Sequence, residues 1–199
     1  MSDLKDQLTR SLSKLEYKAD TEWDATPAAV LLPLYQEHGD WKLLFTRRTD
    51  SVDVHAGQVS FPGGQIEDSD VSIVATALRE AQEEIGLNPA DVETLGQLNP
   101  LFTVTQFLVT PVVGMIPWPY PLQTNPTEVA RTFGVPIKWL ADPSNVEVKE
   151  REPLVPGRSI QVYYFKEYEG ETIWGVTARI TVDLLQMLDA ARLPSGSGG

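Results

Sequence analysis

Three glutamates carry the chemical interest of this chain: Glu80, Glu83 and Glu84, with Arg79 immediately before them. On an α-helix successive residues are about 100° apart, so Glu83 and Glu84 fall within about 60° on either side of Glu80. Val71, Val74, Leu78, Ala81 and Ile85 fall on the far side, with Ile73 as an exception near the acids. One face is therefore expected to present three carboxylates while the other packs. Like charges at these spacings repel by roughly 0.2–0.5 kcal/mol per pair. A hard divalent cation reverses that sign, because Mg²⁺ and Mn²⁺ take oxygen ligands from a few carboxylates together with substrate phosphates. Arg79, four residues before Glu83, can pair with it and hold its orientation. A glutamate-rich helix face is ordinarily no more than solvated surface, so the flanking residues decide. They are a glycine pair, Gly63 and Gly64, which permits close backbone approach, and Gly86 directly after the acids.

The elements that must position these residues follow from the pattern. Residues 71–85 predict a helix, with Asp68, Ser69 or Asp70 as its N-cap and Gly86 as its stop. Upstream, residues 28–35 and 41–46 predict a hairpin around a turn at 37–40, followed by a polar loop at 47–58. Downstream, 92–98, 102–104, 107–115 and 128–135 read as strands, and 117–126, with four prolines, as an irregular loop. Residues 137–141 predict a helical turn, 159–167 and 171–174 a late hairpin, and 176–193 an amphipathic closing helix. Leu4, Leu8, Leu12 and Leu15 form one stripe of an N-terminal helix, packed on the domain or on a second subunit. Strands on both sides of a central helix, with another helix at the end, indicate an α/β fold: a mixed β-sheet sandwiched between helices. The expected division is a helical extension over residues 1–24, one domain over 25–193 and a disordered Ser/Gly-rich tail over 194–199.

Composition narrows the chemistry. A chain of 199 residues with 42% hydrophobic and 22% charged residues suits one soluble domain with a real core. There is no cysteine, which excludes disulfides, thiolate catalysis and Cys-ligated zinc, and a reducing cytoplasm fits. The formal net charge of -12 argues against nucleic acid as a partner. A small phosphorylated ligand stays compatible, since metal ions can neutralise both sides locally. The first 20 residues are mixed-charge with no apolar core, unlike a signal peptide, and the most apolar stretch, 107–116, is too short to span a bilayer. No membrane association is expected.

The run Arg79-Glu80-Ala81-Gln82-Glu83-Glu84-Ile85-Gly86-Leu87 resembles the Nudix box, whose pattern is a glycine, a later acid, then R-E-apolar-x-E-E-x-G-apolar. The second half matches at every specified position. Between Gly64 and Arg79 there is one residue more than usual, and Asp70 stands nearest the expected acid. Leu44-Phe45-Thr46-Arg47-Arg48, then His55-Ala56-Gly57-Gln58-Val59-Ser60-Phe61-Pro62-Gly63-Gly64, is similar to the additional signature of the coenzyme A pyrophosphatase branch. Residues 103–107, 110–114 and 173–178 look like that branch too. One position departs: the signature has a basic residue where this chain has Asp53.

The resemblance implies a Nudix-type α/β/α sandwich and metal-dependent hydrolysis of a diphosphate linkage, with Mg²⁺ or Mn²⁺ as cofactor and a small nucleotide-like substrate as partner. It implies Glu80 and Glu84 as metal ligands, Glu83 joining directly or through water, and the Gly64 carbonyl as a further oxygen. Glu80, Glu83 and Arg79 are the catalytic candidates, and Glu128 and Glu147 are candidate acids from outside the box. Arg47, Arg48, Gln58 and Gly63 are the substrate-binding candidates; exposed strand-end charge is the alternative for the arginines, and a structural role for His55 and Gln58. Trp139 and Trp174 read as core rather than as stacking platforms. The implied substrate is coenzyme A or an acyl-coenzyme A. The alternative, which Asp53 favours, is ADP-ribose, NADH or another nucleoside diphosphate derivative, and a third reading is a non-catalytic nucleotide-binding module. Homodimers are common in the family, and the N-terminal stripe could serve one.

Overall fold

The computed structural model describes residues 2–15, 25–50, 57–151 and 160–188. Asp53, His55, residues 189–193 of the expected closing helix and the tail over 194–199 lie outside the described residues.

The centre is β1 (Thr26–Glu37). Its residues alternate between two cores: Ala28, Leu32 and Leu34 belong to one, Ala29, Leu31 and Tyr35 to the other. A strand buried on both faces must be apolar almost throughout, which is why residues 28–35 read as a continuous run rather than an alternation. β1 pairs antiparallel with β2 (Asp40–Arg48) through the expected hairpin and parallel with β7 (Phe107–Met115), which makes the sheet mixed. Outward from β1, β2 carries the short β3 (Val59–Ser60) and β8 (Val129–Pro136). β4 (Gly63–Gln65) also pairs with β1, and β5 (Glu93–Gln97) and β6 (Leu101–Phe102) pair with β7.

One face of this sheet is covered by α2 (Ile73–Ile85), through Ala77, Ala81 and Ile85 against Ala29, Leu31 and Val112. The opposite face packs against α1 (Ser2–Leu12), the single turn α3 (Ile137–Leu140) and α4 (Gly175–Met187). The result is the expected α/β/α sandwich. The N-terminal stripe is spent within the domain: Leu8 is fully buried in this core, and the Gln7 amide bonds the Leu188 carbonyl at the end of α4.

Three local expectations need correction. The helix starts at Ile73 rather than 71, because the Ser72 side chain accepts from the Ala75 N–H and is the N-cap; Val71 precedes it and is exposed. Asp70, offered as a cap, is engaged elsewhere. The sequence pattern predicts no strand at β9 (Val146–Arg151), because only Val146 and Val148 of its six residues are apolar. It forms a separate two-stranded sheet with β10 (Ile160–Phe165). The late hairpin is present in reduced form, as the Tyr164–Trp174 bridge and the Phe165 N–H to Ile173 carbonyl bond. Trp139 packs on Tyr168 and Phe165, as a core residue should.

Candidate active site

The acidic helix is fixed at both ends. Gly86 ends α2 in the left-handed conformation that favours glycine, its N–H returning to the Gln82 carbonyl. The proline-rich segment then folds back: Gln123 N–H bonds the Ile85 carbonyl and Asn125 N–H bonds the Glu84 carbonyl, satisfying acceptors that every helix C-terminus leaves orphaned. That return also places Glu128. Its N–H bonds the Asn125 carbonyl, and its own carbonyl accepts from Thr49 N–H at the end of β2.

On the exposed side of α2, Arg79 organises the approach loop. Its Nε and Nη2 donate to the two Asp70 carboxylate oxygens at 3.0 Å each, a bidentate fork, and Nη2 also reaches the Gln65 carbonyl at 3.1 Å. Nη1 donates to Glu80 at 3.0 Å and Glu83 at 3.1 Å. Asp70 also accepts from the Glu67 N–H, and the Arg79 guanidinium holds its carboxyl well below the usual range. The acid nearest the position the box pattern expects is thus a partner of the box arginine.

The three glutamates separate. Glu84 is buried, only 4% exposed, and Glu80 is half-buried beside it. Gly64 lies against Glu80 so closely that a Cβ there would overlap its carboxyl group, and a Cβ on Gly63 would strike the β1 backbone at Ala29 and Val30. The Gly63 N–H lies on the Glu84 side and weakly favours its charged form. Glu83 is exposed and turned to Arg79, because α2 presents it to solvent while the guanidinium offers it a partner. Among the described residues no three acids stand together in a metal-holding arrangement. The fold brings Glu80 and Glu84 together beside both glycines and sets Glu83 apart.

The electrostatics of that pair are unbalanced. Burial pushes the Glu84 carboxyl up to about 8, aided by the Glu80 charge and, to a lesser degree, by that of Glu128; the Arg48 guanidinium and the Gly63 N–H oppose it. Glu80 is raised by the same desolvation, with Arg79 opposing. Two desolvated carboxylates against a backbone held close by glycine, with too little positive charge nearby, fit a hard cation bound through oxygen.

Arg47 and Arg48 part company. Successive strand residues point to opposite faces, and here Arg48 faces Glu84 while Arg47 lies on the α4 side, 3.6 Å from Glu171 and beside Gln58. Of the two outlying acids, Glu128 sits where its charge acts on both Glu80 and Glu84, whereas Glu147 is exposed on β9 and paired with Lys149 at 2.6 Å. Trp174 is half-buried, stacked on Tyr164 and lining a cavity, so the core reading fits it only in part.

The NUDIX domain profile matches residues 25–145. The chain is 43% identical to a Nudix hydrolase named NudL from Photorhabdus laumondii over 164 residues, covering 81% of this chain and 84% of the relative. It is 38% identical to NudL of Pectobacterium atrosepticum, covering 94% and 95%. Among solved structures, a MutT/nudix family protein from Enterococcus faecalis superposes with a TM-score of 0.53 at 14% identity, covering 94% of this chain and 74% of that one. DR0079 from Deinococcus radiodurans gives 0.52 at 14% identity, covering 84% and 88%. At such identity these two structures speak to the fold alone. No helix among the described residues is long and apolar enough to cross a membrane.

Proposed function

The chain belongs to the Nudix hydrolase family, and from that premise we propose that it cleaves the diphosphate linkage of coenzyme A or an acyl-coenzyme A, giving 4′-phosphopantetheine and adenosine 3′,5′-bisphosphate. The observation that carries the hydrolytic reading is the buried Glu80–Glu84 pair packed against Gly64. A binding module would gain nothing from two mutually repelling, desolvated carboxylates. The coenzyme A assignment rests on the signature residues upstream of the box.

Glu80, Glu84 and the Gly64 carbonyl would hold Mg²⁺ or Mn²⁺. When bound, the ion supplies an acidified water and neutralises charge on the diphosphate oxygens. Glu84, buried beneath the site, would hold the cation as a fixed anionic ligand. Glu80 is oriented by Arg79 from one side and by the Gly64 backbone from the other. Glu128, pinned by Asn125 and Thr49, faces both carboxylates from a loop outside the box and is suited to accept the proton of the attacking water. Glu83 keeps a supporting role through Arg79, which it holds by an ion pair, and would join the ion only directly or through water. Arg48, whose charge acts on Glu84, would receive a substrate phosphate.

Asp53 favours a second reading, in which the same chemistry acts on ADP-ribose, NADH or another nucleoside diphosphate derivative. One panel separates the readings: incubation with Mg²⁺ or Mn²⁺ and coenzyme A, ADP-ribose, NADH or nucleoside triphosphates, with products identified by mass. Cleavage of coenzyme A to the two monophosphates is the expected result. Cleavage of ADP-ribose but not coenzyme A would overturn the substrate, and no turnover of any diphosphate would overturn the enzymatic reading.

A further inference from the structure

The residues of the upstream signature that the glutamate site does not use come together elsewhere. Arg47, Gln58 and Trp174 line one polar cavity of about 540 Å³ on the α4 side of the sheet, with Arg131 from β8 and Glu171 from the late hairpin. Arg47 and Arg131 are directly opposed in the β2–β8 register. Like charges directly opposite across strands destabilise a sheet unless an anion intervenes. Here the anion is Glu171, whose side chain is only 12% exposed.

Glu171 fills that role poorly. Its two oxygens stand 3.6 Å from Arg47 Nε and 3.3 Å from Arg131 Nε, longer than the roughly 2.7–2.9 Å of a charge-assisted hydrogen bond. Arg131 Nε is buried and makes no hydrogen bond among the described residues. The remaining polar contacts are peripheral: Arg47 reaches the exposed Asp50 at 3.0 Å, and Arg131 Nη2 reaches the Glu169 carbonyl at 3.4 Å, while the Arg131 guanidinium lies 5.0 Å over the Phe133 ring. Two guanidinium forks therefore face one planar carboxylate that bonds neither well. A tetrahedral dianion has oxygens enough to meet both.

We propose that this cavity binds a phosphomonoester group, held between Arg47 and Arg131 in place of the Glu171 carboxylate. The phosphate has two conceivable sources, the far end of the substrate itself or a separate phosphorylated ligand. Only the first rests on the proposed reaction. Arg47 and Arg48 are adjacent at the end of β2, so a long substrate could run from Glu84 past Arg48 around this rim to the cavity.

The test begins without divalent ions, in EDTA, so that the glutamate site takes no part. Calorimetric titration with adenosine 3′,5′-bisphosphate, adenosine 5′-monophosphate and inorganic phosphate is compared in the wild-type chain, Arg131→Gln and Glu171→Gln. Losing one charge-assisted contact should weaken phosphate binding about tenfold or more in Arg131→Gln. Removing the competing internal anion should tighten it several-fold in Glu171→Gln. Identical affinities in all three proteins, or weaker binding in Glu171→Gln, would overturn the proposal. The second arm measures kcat/KM for coenzyme A and 3′-dephospho-coenzyme A. If the wild-type preference for coenzyme A collapses in Arg131→Gln, the substrate supplies the phosphate. If that ratio is unaltered while inorganic phosphate still responds to both variants, a separate phosphorylated ligand does. A chain that turned over no diphosphate would still give a decisive titration.

Discussion

Asp70, just before α2, and Glu84, in its last turn, differ in almost every physical respect. Asp70 lies in the approach loop, clamped by two hydrogen bonds from Arg79 and one from a backbone N–H, and its carboxyl is held well below the usual range. Glu84 lies beneath the site, desolvated, beside a second carboxylate and with only partial relief from Arg48 and Gly63, and its carboxyl is pushed up to about 8. An acid whose partners are complete serves structure. On the proposed reading, an acid left short of positive charge in a protected site is where a bound cation would supply it. Arg79 links the two regions, since the same guanidinium that satisfies Asp70 also bonds Glu80.

The sharpest way to break this contrast is at Glu84. Glu84→Gln should lower turnover with Mn²⁺ on the order of a hundredfold or more while the chain stays folded. Near-normal rates, with an unchanged circular dichroism spectrum, would place Glu84 outside the chemistry. Gly64→Ala comes next. Its Cβ would overlap the Glu80 carboxyl, so either that carboxylate or β4 must shift, and a fall of about tenfold or more in kcat is expected.

A pH series sharpens the contrast without touching catalysis. Because the folded value of Glu84 is about 8 against an ordinary 4.5, its contribution to stability is fully present below 4.5 and is lost as pH rises through 8. In EDTA the slope should approach at most about 1.4 kcal/mol per pH unit within that window. Thermal melts from pH 5 to 8.5 should show a decline that Glu84→Gln flattens; an equal decline in both proteins would assign it to other groups. Asp70 has the opposite sign. Its depressed carboxyl contributes stability above its ordinary value of 3.8 that is lost only in strong acid. Asp70→Asn should lower Tm by about 2–6 °C near neutrality and reduce turnover less than Glu84→Gln. A larger loss of activity than of stability would show that the approach loop itself takes part in the reaction.

Much of this was legible in the residues. The acids on one helix face, the stop at Gly86 and the strands at 28–35 and 107–115 follow from periodicity and turn chemistry, which are local rules. So does the Arg79–Glu83 pair, four residues apart on one helix. Other features escaped because they join distant segments. Nothing near Asp70 signals that Arg79, nine residues on, will hold it in a fork. The alternation in β9 was thin because only Val146 and Val148 of its six residues are apolar, and the place of Glu128 depends on a return of the proline loop onto Glu84 and Ile85.

By itself the chain determined the kinds of groups present and their order along a helix, since those depend only on residue identity and a fixed angular step. Tertiary structure decided which of them meet. It buried Glu84 against Gly63, left Glu83 in water with Arg79, and sent Arg47 and Arg48 to opposite faces of one sheet. Desolvation and proximity across the fold set those outcomes, and neither quantity exists until β4, α2 and the loop before β8 have packed together.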